Sequence, residues 1–82
     1  MKPAYIAVGA AGAVYRYLNE AGIEQSKEEA AKVLKDVSGL EADSELAGMI
    51  LDLYAYFLEG EPVAALRRAA QAAKTASLGK II

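Results

Sequence analysis

Residues 6–14 read IAVGAAGAV, a stretch of nine residues with no charge, no hydroxyl group and no side chain larger than isoleucine. Three interpretations compete: a phosphate-binding loop, a membrane or signal segment, and a helix face that packs closely against another helix. A phosphate-binding loop needs glycines at a fixed spacing followed by Lys and Ser or Thr, or a Gly-x-Gly-x-x-Gly run after a strand. Neither pattern is present in this stretch.

The membrane and signal interpretations fail on length and composition. A helix that spans a membrane needs about 20 apolar residues, whereas the uncharged run 4–15 ends at Arg16. The apolar segment lacks Leu, and cleavage after it would fall short of the ~15–30 residues of a usual signal peptide. We therefore expect no membrane span and interpret the stretch as a close-packing helix face.

On a helix, the small residues of this stretch lie one turn apart on one face, where missing side chains allow a close approach. Each glycine costs about 0.8–1.0 kcal/mol relative to alanine within a helix, so two of them indicate a compensating contact. The expected partner is the bulky face of the third helix, in the same chain or in a second copy, and we favour an intermolecular contact. The residues expected there are Gly9, Gly12, Ala13, Tyr17, Ile50, Leu53 and Phe57.

Capping and stop signals predict an all-α bundle of four helices, with no strands. Ser26 and Glu29 form a capping box at the start of the second helix, which Gly39 ends. Asp43 or Ser44 caps the third helix, Gly60 ends it, and Pro62 starts the fourth. The predicted helices are 4–20, 27–38, 44–59 and 62–77.

The second and fourth helices each show an apolar spacing that predicts which face is buried. The members of this spacing are Ala30, Val33, Leu34 and Val37 on the second helix and Val63, Leu66, Ala70 and Ala73 on the fourth.

The length of 82 residues predicts a single helical domain over residues 1–82 with a thin core. A core of this size rarely supplies more than about 3–5 kcal/mol of stability. The hydrophobic fraction of 55% exceeds the usual ~45–50%, so we expect apolar surface that self-association covers, with a dimer favoured. The absence of Cys excludes disulfides and fits a cytoplasmic location.

The chain contains neither Cys nor His, which excludes thiolate zinc sites and a histidine general base. Helix caps account for the neighbouring carboxylates Glu28 and Glu29 and for Glu59 and Glu61. Asp52, alone among apolar residues, lies in line with Glu45 and Glu59, which indicates a solvated stripe. We therefore expect a protein that is not an enzyme and has no catalytic, cofactor-binding or metal-binding residues.

Charge is divided unevenly along the chain. Residues 1–61 carry a net charge of −6 and residues 62–82 a net charge of +4. Arg67 and Lys74 form a basic line on the fourth helix. This line pairs with the acidic line of the third helix, within the chain or across a dimer, or the basic tail contacts nucleic acid or an acidic partner. The candidate anion or nucleic-acid contacts are Arg67, Arg68, Lys74 and Lys80.

The five tyrosines are expected at the edge of the core or at an interface, with the ring buried and the hydroxyl in water. A base-stacking platform for nucleic acid would need basic residues between them. Only Arg16 meets that requirement.

The central segment YLNEAGIEQSKEEAAKVLKDVSGLEADSELAGMILDLYAYFLEG combines a Tyr- and Ala-rich first helix, an Ala-Gly break at 21–22, Lys-Val-Leu at 32–34 and Leu-Glu-Gly at 58–60. It covers about half of the chain and resembles the N-terminal dimerisation domain of archaeal acidic ribosomal stalk proteins. That resemblance implies dimerisation through the helices and a scaffold role. The chain departs from the family in its GAAGA first helix, which is usually Leu-rich there, and in its basic C-terminal helix, where the family has a hinge and an acidic tail.

These observations predict a non-enzymatic helical interaction or oligomerisation module that self-associates or serves as a small subunit of a larger assembly. The alternative is an all-helical subunit of a nucleoprotein complex that contacts nucleic acid through its basic C-terminal helix.

Overall fold

The computed structural model describes the backbone of residues 3–81 and the side chains of residues 3–75. That part of the chain contains four α-helices and no strand: α1 (Pro3–Ala21), α2 (Lys27–Ser38), α3 (Glu45–Leu58) and α4 (Pro62–Ile81). The predicted all-α architecture is confirmed, and the predicted bounds differ by one residue or none except at the end of α4, which continues beyond residue 77. None of the helices within the described residues is long and apolar enough to cross a membrane.

Side-chain caps begin α2 and α3 where the sequence indicates. The Ser26 hydroxyl oxygen accepts a hydrogen bond from the Glu29 backbone N–H at 3.1 Å. For α3, the cap is Ser44 rather than Asp43, and its hydroxyl oxygen accepts from the Ala47 backbone N–H at 3.2 Å. Each bond satisfies a backbone donor that the first turn of a helix leaves free.

Glycines in the left-handed region end α1 and α3 in the same way. Gly22 and Gly60 have φ values of 70° and 76°, which side chains with a Cβ rarely adopt. The next residue then donates back to the helix, from Ile23 N–H to the Leu18 carbonyl at 2.9 Å and from Glu61 N–H to the Tyr56 carbonyl at 2.9 Å. These backbone bonds reverse the chain at the end of each helix and set the direction of the following segment.

The helices α1 and α3 form the centre of the bundle, because each of them contacts the other three helices. Among the described residues, α2 and α4 do not approach each other, so they lie on opposite sides of the central pair. Large side chains fill the centre of the bundle. The largest that are fully buried are Leu18, Ile50 and Tyr54.

One side of α1 is buried along its whole length and is named here the inner row. Its members follow alternating steps of three and four residues and are Ala4, Ala7, Ala11, Val14 and Leu18. This spacing makes one continuous stripe on a helix. Because most of the stripe is alanine, the neighbouring helices approach α1 closely.

The burial of α4 differs from the prediction. The sequence spacing placed Val63, Leu66 and Ala70 on the buried face, but Val63 and Leu66 are 61% and 55% exposed, and Ala70 is exposed. The buried side chains of α4, within residues 62–75, are Ala65, Ala69 and Ala73. Alanines face inward because a close approach to the alanine-rich inner row of α1 leaves no space for Val or Leu.

Candidate interaction surface

The structure divides the residues that the sequence placed at one close contact into two groups. Gly12 and Phe57 meet within the chain, since a Cβ built on Gly12 would lie 3.3 Å from Phe57 Cζ. Ile50 and Leu53 are 2% and 3% exposed and belong to the same interior. The expected packing of a small α1 residue on a bulky α3 residue is thus present between two helices of one chain.

The other three residues of the expected contact lie on the outside of α1. Gly9 and Ala13 are exposed, and a Cβ built on Gly9 would meet no atom within 4 Å. The Tyr17 side chain is 52% exposed. These residues are therefore accessible to a partner, whereas Ile50 and Leu53 are covered by the chain itself.

A groove between α1 and α2 has an almost wholly apolar lining, and it encloses about 420 Å³. One wall is the outer row of α1, defined here as Ile6, Ala10, Ala13 and Tyr17, and the other wall is formed mainly by Val33, Leu34 and Val37 of α2. None of the residues that line this α1–α2 groove is charged. Its one lining serine, Ser38, already donates its hydroxyl to the Leu34 carbonyl.

Large apolar side chains at this groove remain open to solvent. Ile6, Tyr17 and Val37 are 45%, 52% and 78% exposed. The sequence placed Val37 on the buried stripe of α2, and that prediction is wrong for this residue. Ala30 and Leu34 of the stripe are buried as expected, whereas Val37 lines the open groove.

A polar network fixes the connection between α1 and α2 next to the core. The Tyr54 side chain is fully buried, and its hydroxyl donates to the side-chain oxygen Oε1 of Gln25. The Gln25 amide nitrogen Nε2 donates in turn to the Tyr15 backbone carbonyl at 2.9 Å. One loop side chain thereby joins α3 to α1 and satisfies the buried hydroxyl.

Burial raises the pKa of the Tyr54 hydroxyl, the backbone N–H of Ser26 lowers it in part, and the nearby Tyr15 raises it further. The Tyr15 ring also packs beside Tyr54 and Phe57, with ring centroids 6.4 and 5.9 Å apart. Sequence reasoning did not find Gln25, because a single glutamine in a loop carries no local pattern that distinguishes a buried bond from a solvated side chain.

A second groove lies among the start of α1, α3 and α4 and encloses about 560 Å³. Its lining includes carboxylates and a guanidinium group, from Glu45, Asp52 and Arg68. All three residues are exposed, as is Glu59, so the acidic line of α3 lies in solvent as the sequence indicates. This groove therefore carries mixed charge and differs in kind from the α1–α2 groove.

The acidic line of α3 does not pair with the basic residues of α4 within residues 3–75. The ion pair seen there joins Lys35 Nζ and Glu41 Oε1 at 3.4 Å, and both side chains are more than 60% exposed. Arg67, Arg68 and Lys74 are exposed and have no ion pair with a described acidic side chain. Lys80 lies outside the residues whose side chains are described.

No group of three or more Cys, Asp or Glu side chains that could hold a metal ion is found in the described region. Comparison of the chain with protein-family models, with curated proteins and with solved structures finds no match. The resemblance to the dimerisation domain of the archaeal stalk proteins accordingly stays a prediction.

Proposed function

We propose that this protein is a non-enzymatic helical interaction module that self-associates, or docks as a small subunit, through the α1–α2 groove. The observation that carries the proposal is the combination of an uncharged lining with large apolar side chains that remain exposed at Ile6, Tyr17 and Val37. Contiguous exposed apolar surface with a polar rim is typical of protein interaction sites, and the centres of such sites are depleted in charge.

The small free energy that this core gains from apolar burial also supports the proposal. Eight of the fourteen buried apolar residues within residues 3–75 are alanines, and an alanine buries far less apolar area than Leu or Ile. Since apolar burial contributes about 25 cal/mol per Å², this core gains little for its length. A partner that covers the groove would add burial of the larger side chains that the chain leaves exposed.

The resemblance to the stalk dimerisation domain favours the same function, because it implies dimerisation through helices and a scaffold role. A cytoplasmic location and the absence of catalytic activity belong to this proposal as well. The groove supports no acid, base or nucleophilic chemistry, since its lining contains no ionised group and its serine hydroxyl is already bonded.

A matched pair of substitutions tests the proposal. Val37 and Val63 are both strongly exposed valines, 78% and 61%, but only Val37 lines the groove. We expect the wild-type chain to have more than monomer mass in light scattering at low and high salt. Val37→Asp should weaken that association at least about tenfold, which corresponds to about 1.4 kcal/mol, while Val63→Asp leaves it unchanged.

A wild-type monomer at every concentration would contradict the proposed self-association. An association that Val63→Asp weakens and Val37→Asp does not would assign it to the outside of α4 instead.

A second candidate function is contact with nucleic acid within a nucleoprotein complex. The exposed positions of Arg67, Arg68 and Lys74, without a described acidic partner, favour it. Phosphate contacts release counterions, so such binding falls steeply with salt, whereas burial of an apolar groove does not. Binding of a single-stranded oligonucleotide that weakens on Arg67→Ala and Lys74→Ala, and that is lost in high salt, would support this candidate.

A further inference from the structure

The outer row of α1 has the same pattern of size and spacing in both directions along the helix. Two large side chains, Ile6 and Tyr17, flank the two alanines Ala10 and Ala13, with steps of four, three and four residues. On a helix this spacing forms one stripe, separate from the buried inner row. A stripe of this symmetry can meet a second copy of itself that runs in the opposite direction.

We propose that the occupant of the α1–α2 groove is a second copy of this chain, with the two α1 helices antiparallel about a twofold axis. The inference rests on the proposed function and names its partner. A twofold interface pairs residue i with residue j and residue j with residue i. An axis that passes midway between Ala10 and Ala13 pairs Ile6 with the partner's Tyr17 and Ala10 with the partner's Ala13.

The sizes of the side chains suit this arrangement. Alanines at the centre allow the two helix axes to approach to about 8 Å, the close end of the usual range. The larger Ile6 and Tyr17, which are 45% and 52% exposed in the single chain, then lie at the two ends of the contact. Each copy thereby covers the apolar side chains that the other leaves in solvent.

Charge at the ends of α1 favours the antiparallel direction. The first turn of α1 contains no acidic residue and the last turn no basic one. Glu20 instead lies in the last turn, where the partial negative charge of the helix end disfavours a carboxylate. An antiparallel copy brings the positive N-terminal end of the partner helix beside Glu20, so the opposite charges meet twice across the axis.

The charged side chains of α1 balance each other, which lowers the electrostatic cost of placing this helix beside a second copy of itself. It carries one Arg and one Glu, Arg16 and Glu20. The exposed side of α3 presents Glu45 and Asp52, and that of α4 presents Arg67, Arg68 and Lys74. Like charges placed opposite each other oppose association, so self-pairing through α3 or α4 is disfavoured.

The available area is in the range of a specific dimer. At 1.5 Å per residue, the 19 residues of α1 extend about 28 Å, and two adjacent helices are about 20 Å wide. The 12 residues of α2 extend only about 18 Å, so the face formed by α1 and α2 covers roughly 460 Å² in projection, and its accessible area is larger because the surface is corrugated. Specific interfaces bury about 600–1,000 Å² per partner.

Disulfide formation tests the direction of the helices, because the chain has no Cys of its own. Ile6→Cys and Tyr17→Cys chains are oxidised separately and as a mixture. In the antiparallel pair, residue 6 of one copy lies about 16 Å along the axis from the partner's residue 6, beyond the ~7 Å limit between the Cα atoms of a disulfide. We expect a linked dimer in the mixture and little in either single variant.

The antiparallel arrangement would be overturned if each single variant formed the disulfide-linked dimer efficiently and the mixture formed no more of it. A second measurement avoids dependence on the thiols. Ala13→Glu should lower the solution mass to that of a monomer, because it places two carboxylates near the axis. Its matched control is Ala70→Glu, at an exposed alanine within α4, which should keep the wild-type mass.

The outcomes separate this inference from the proposal on which it rests. A dimer that withstands Ala13→Glu contradicts the α1 pairing and leaves self-association in place. A wild-type chain that is monomeric at every concentration contradicts both.

Discussion

The inner and outer rows of α1 are similar in composition but differ in burial. Both contain alanines from the same small-residue stretch, yet Ala7 and Ala11 are completely buried, whereas Ala13 is exposed. The inner row belongs to one buried core with Ile50, Leu53 and Tyr54 of α3 and with Ala69 and Ala73 of α4. The outer row faces a groove that α2 does not fill. Small residues therefore indicate a close contact, while the neighbouring side chains determine whether that contact is made within the chain or with a partner.

The largest expected effect comes from adding volume to the inner row. Ala11→Leu should reduce the free energy of unfolding by about 3 kcal/mol, because overpacking a close helix contact forces side chains and backbone to shift. Ala70→Leu, at an exposed position of α4, should change it by less than about 0.5 kcal/mol. Urea unfolding of both variants and of the wild type makes the measurement, and equal stabilities of the two variants would show that the inner row is not closely packed.

A smaller effect is expected from the network that joins α3 to the end of α1. Tyr54→Phe removes the hydroxyl that donates to Gln25 and should reduce the free energy of unfolding by about 1–1.5 kcal/mol. Tyr5→Phe is the control, since the Tyr5 side chain is 42% exposed on α1. If thermal unfolding shows no difference between the two variants, the Gln25 bond does not stabilise the fold.

Gly9 and Gly12 allow the open and the packed sides of α1 to be compared within one helix turn. Gly9→Ala should raise the free energy of unfolding by about 0.8 kcal/mol, the gain in helix propensity, because the new Cβ meets no atom within 4 Å. Gly12→Ala should gain less or lose stability, because its Cβ would lie 3.3 Å from Phe57. Chemical unfolding at one protein concentration compares them, and an equal gain at both positions would argue against a tight contact at Gly12.

The smallest effect is a pH dependence at the alkaline end. The pKa of Tyr54 in the folded chain is raised above its usual value of about 10, so the folded state binds the proton more tightly. The stability that this provides is present below about pH 10 and is lost as the pH rises through the folded pKa.

The measurement is the free energy of unfolding of the wild type and of Tyr54→Phe from pH 8 to 11. The lysines titrate in both proteins, so their contribution cancels in the difference. The advantage of the wild type should narrow as the pH rises, and a constant difference would contradict the burial of the hydroxyl.

The fold was accessible from sequence because its signals are local. Ser26, Gly39 and Gly60 determine helix ends through bonds within a few residues, and all three act where the sequence indicates. The match of a small α1 face to a bulky α3 face is seen in the packing of Gly12 on Phe57, but within one chain, whereas the sequence favours a contact between two chains.

The candidate surface was only partly accessible, because it depends on contacts between helices. Val37 satisfies the apolar spacing of α2, but it lines a groove that the chain leaves open, and its side chain is 78% exposed. The inward face of α4 was predicted wrongly for a related reason, since a close approach selects Ala65 and Ala69 over the more hydrophobic Val63 and Leu66. The bond of Gln25 to Tyr54 joins residues 29 positions apart and has no local pattern.

The most direct test of self-association through an apolar face is the solution mass of the wild-type chain by light scattering, at low and high salt and over a range of concentrations. We predict a dimer whose mass persists at high salt, because burial of an uncharged groove is not screened. A monomer at all concentrations, or an association that high salt abolishes, would contradict it.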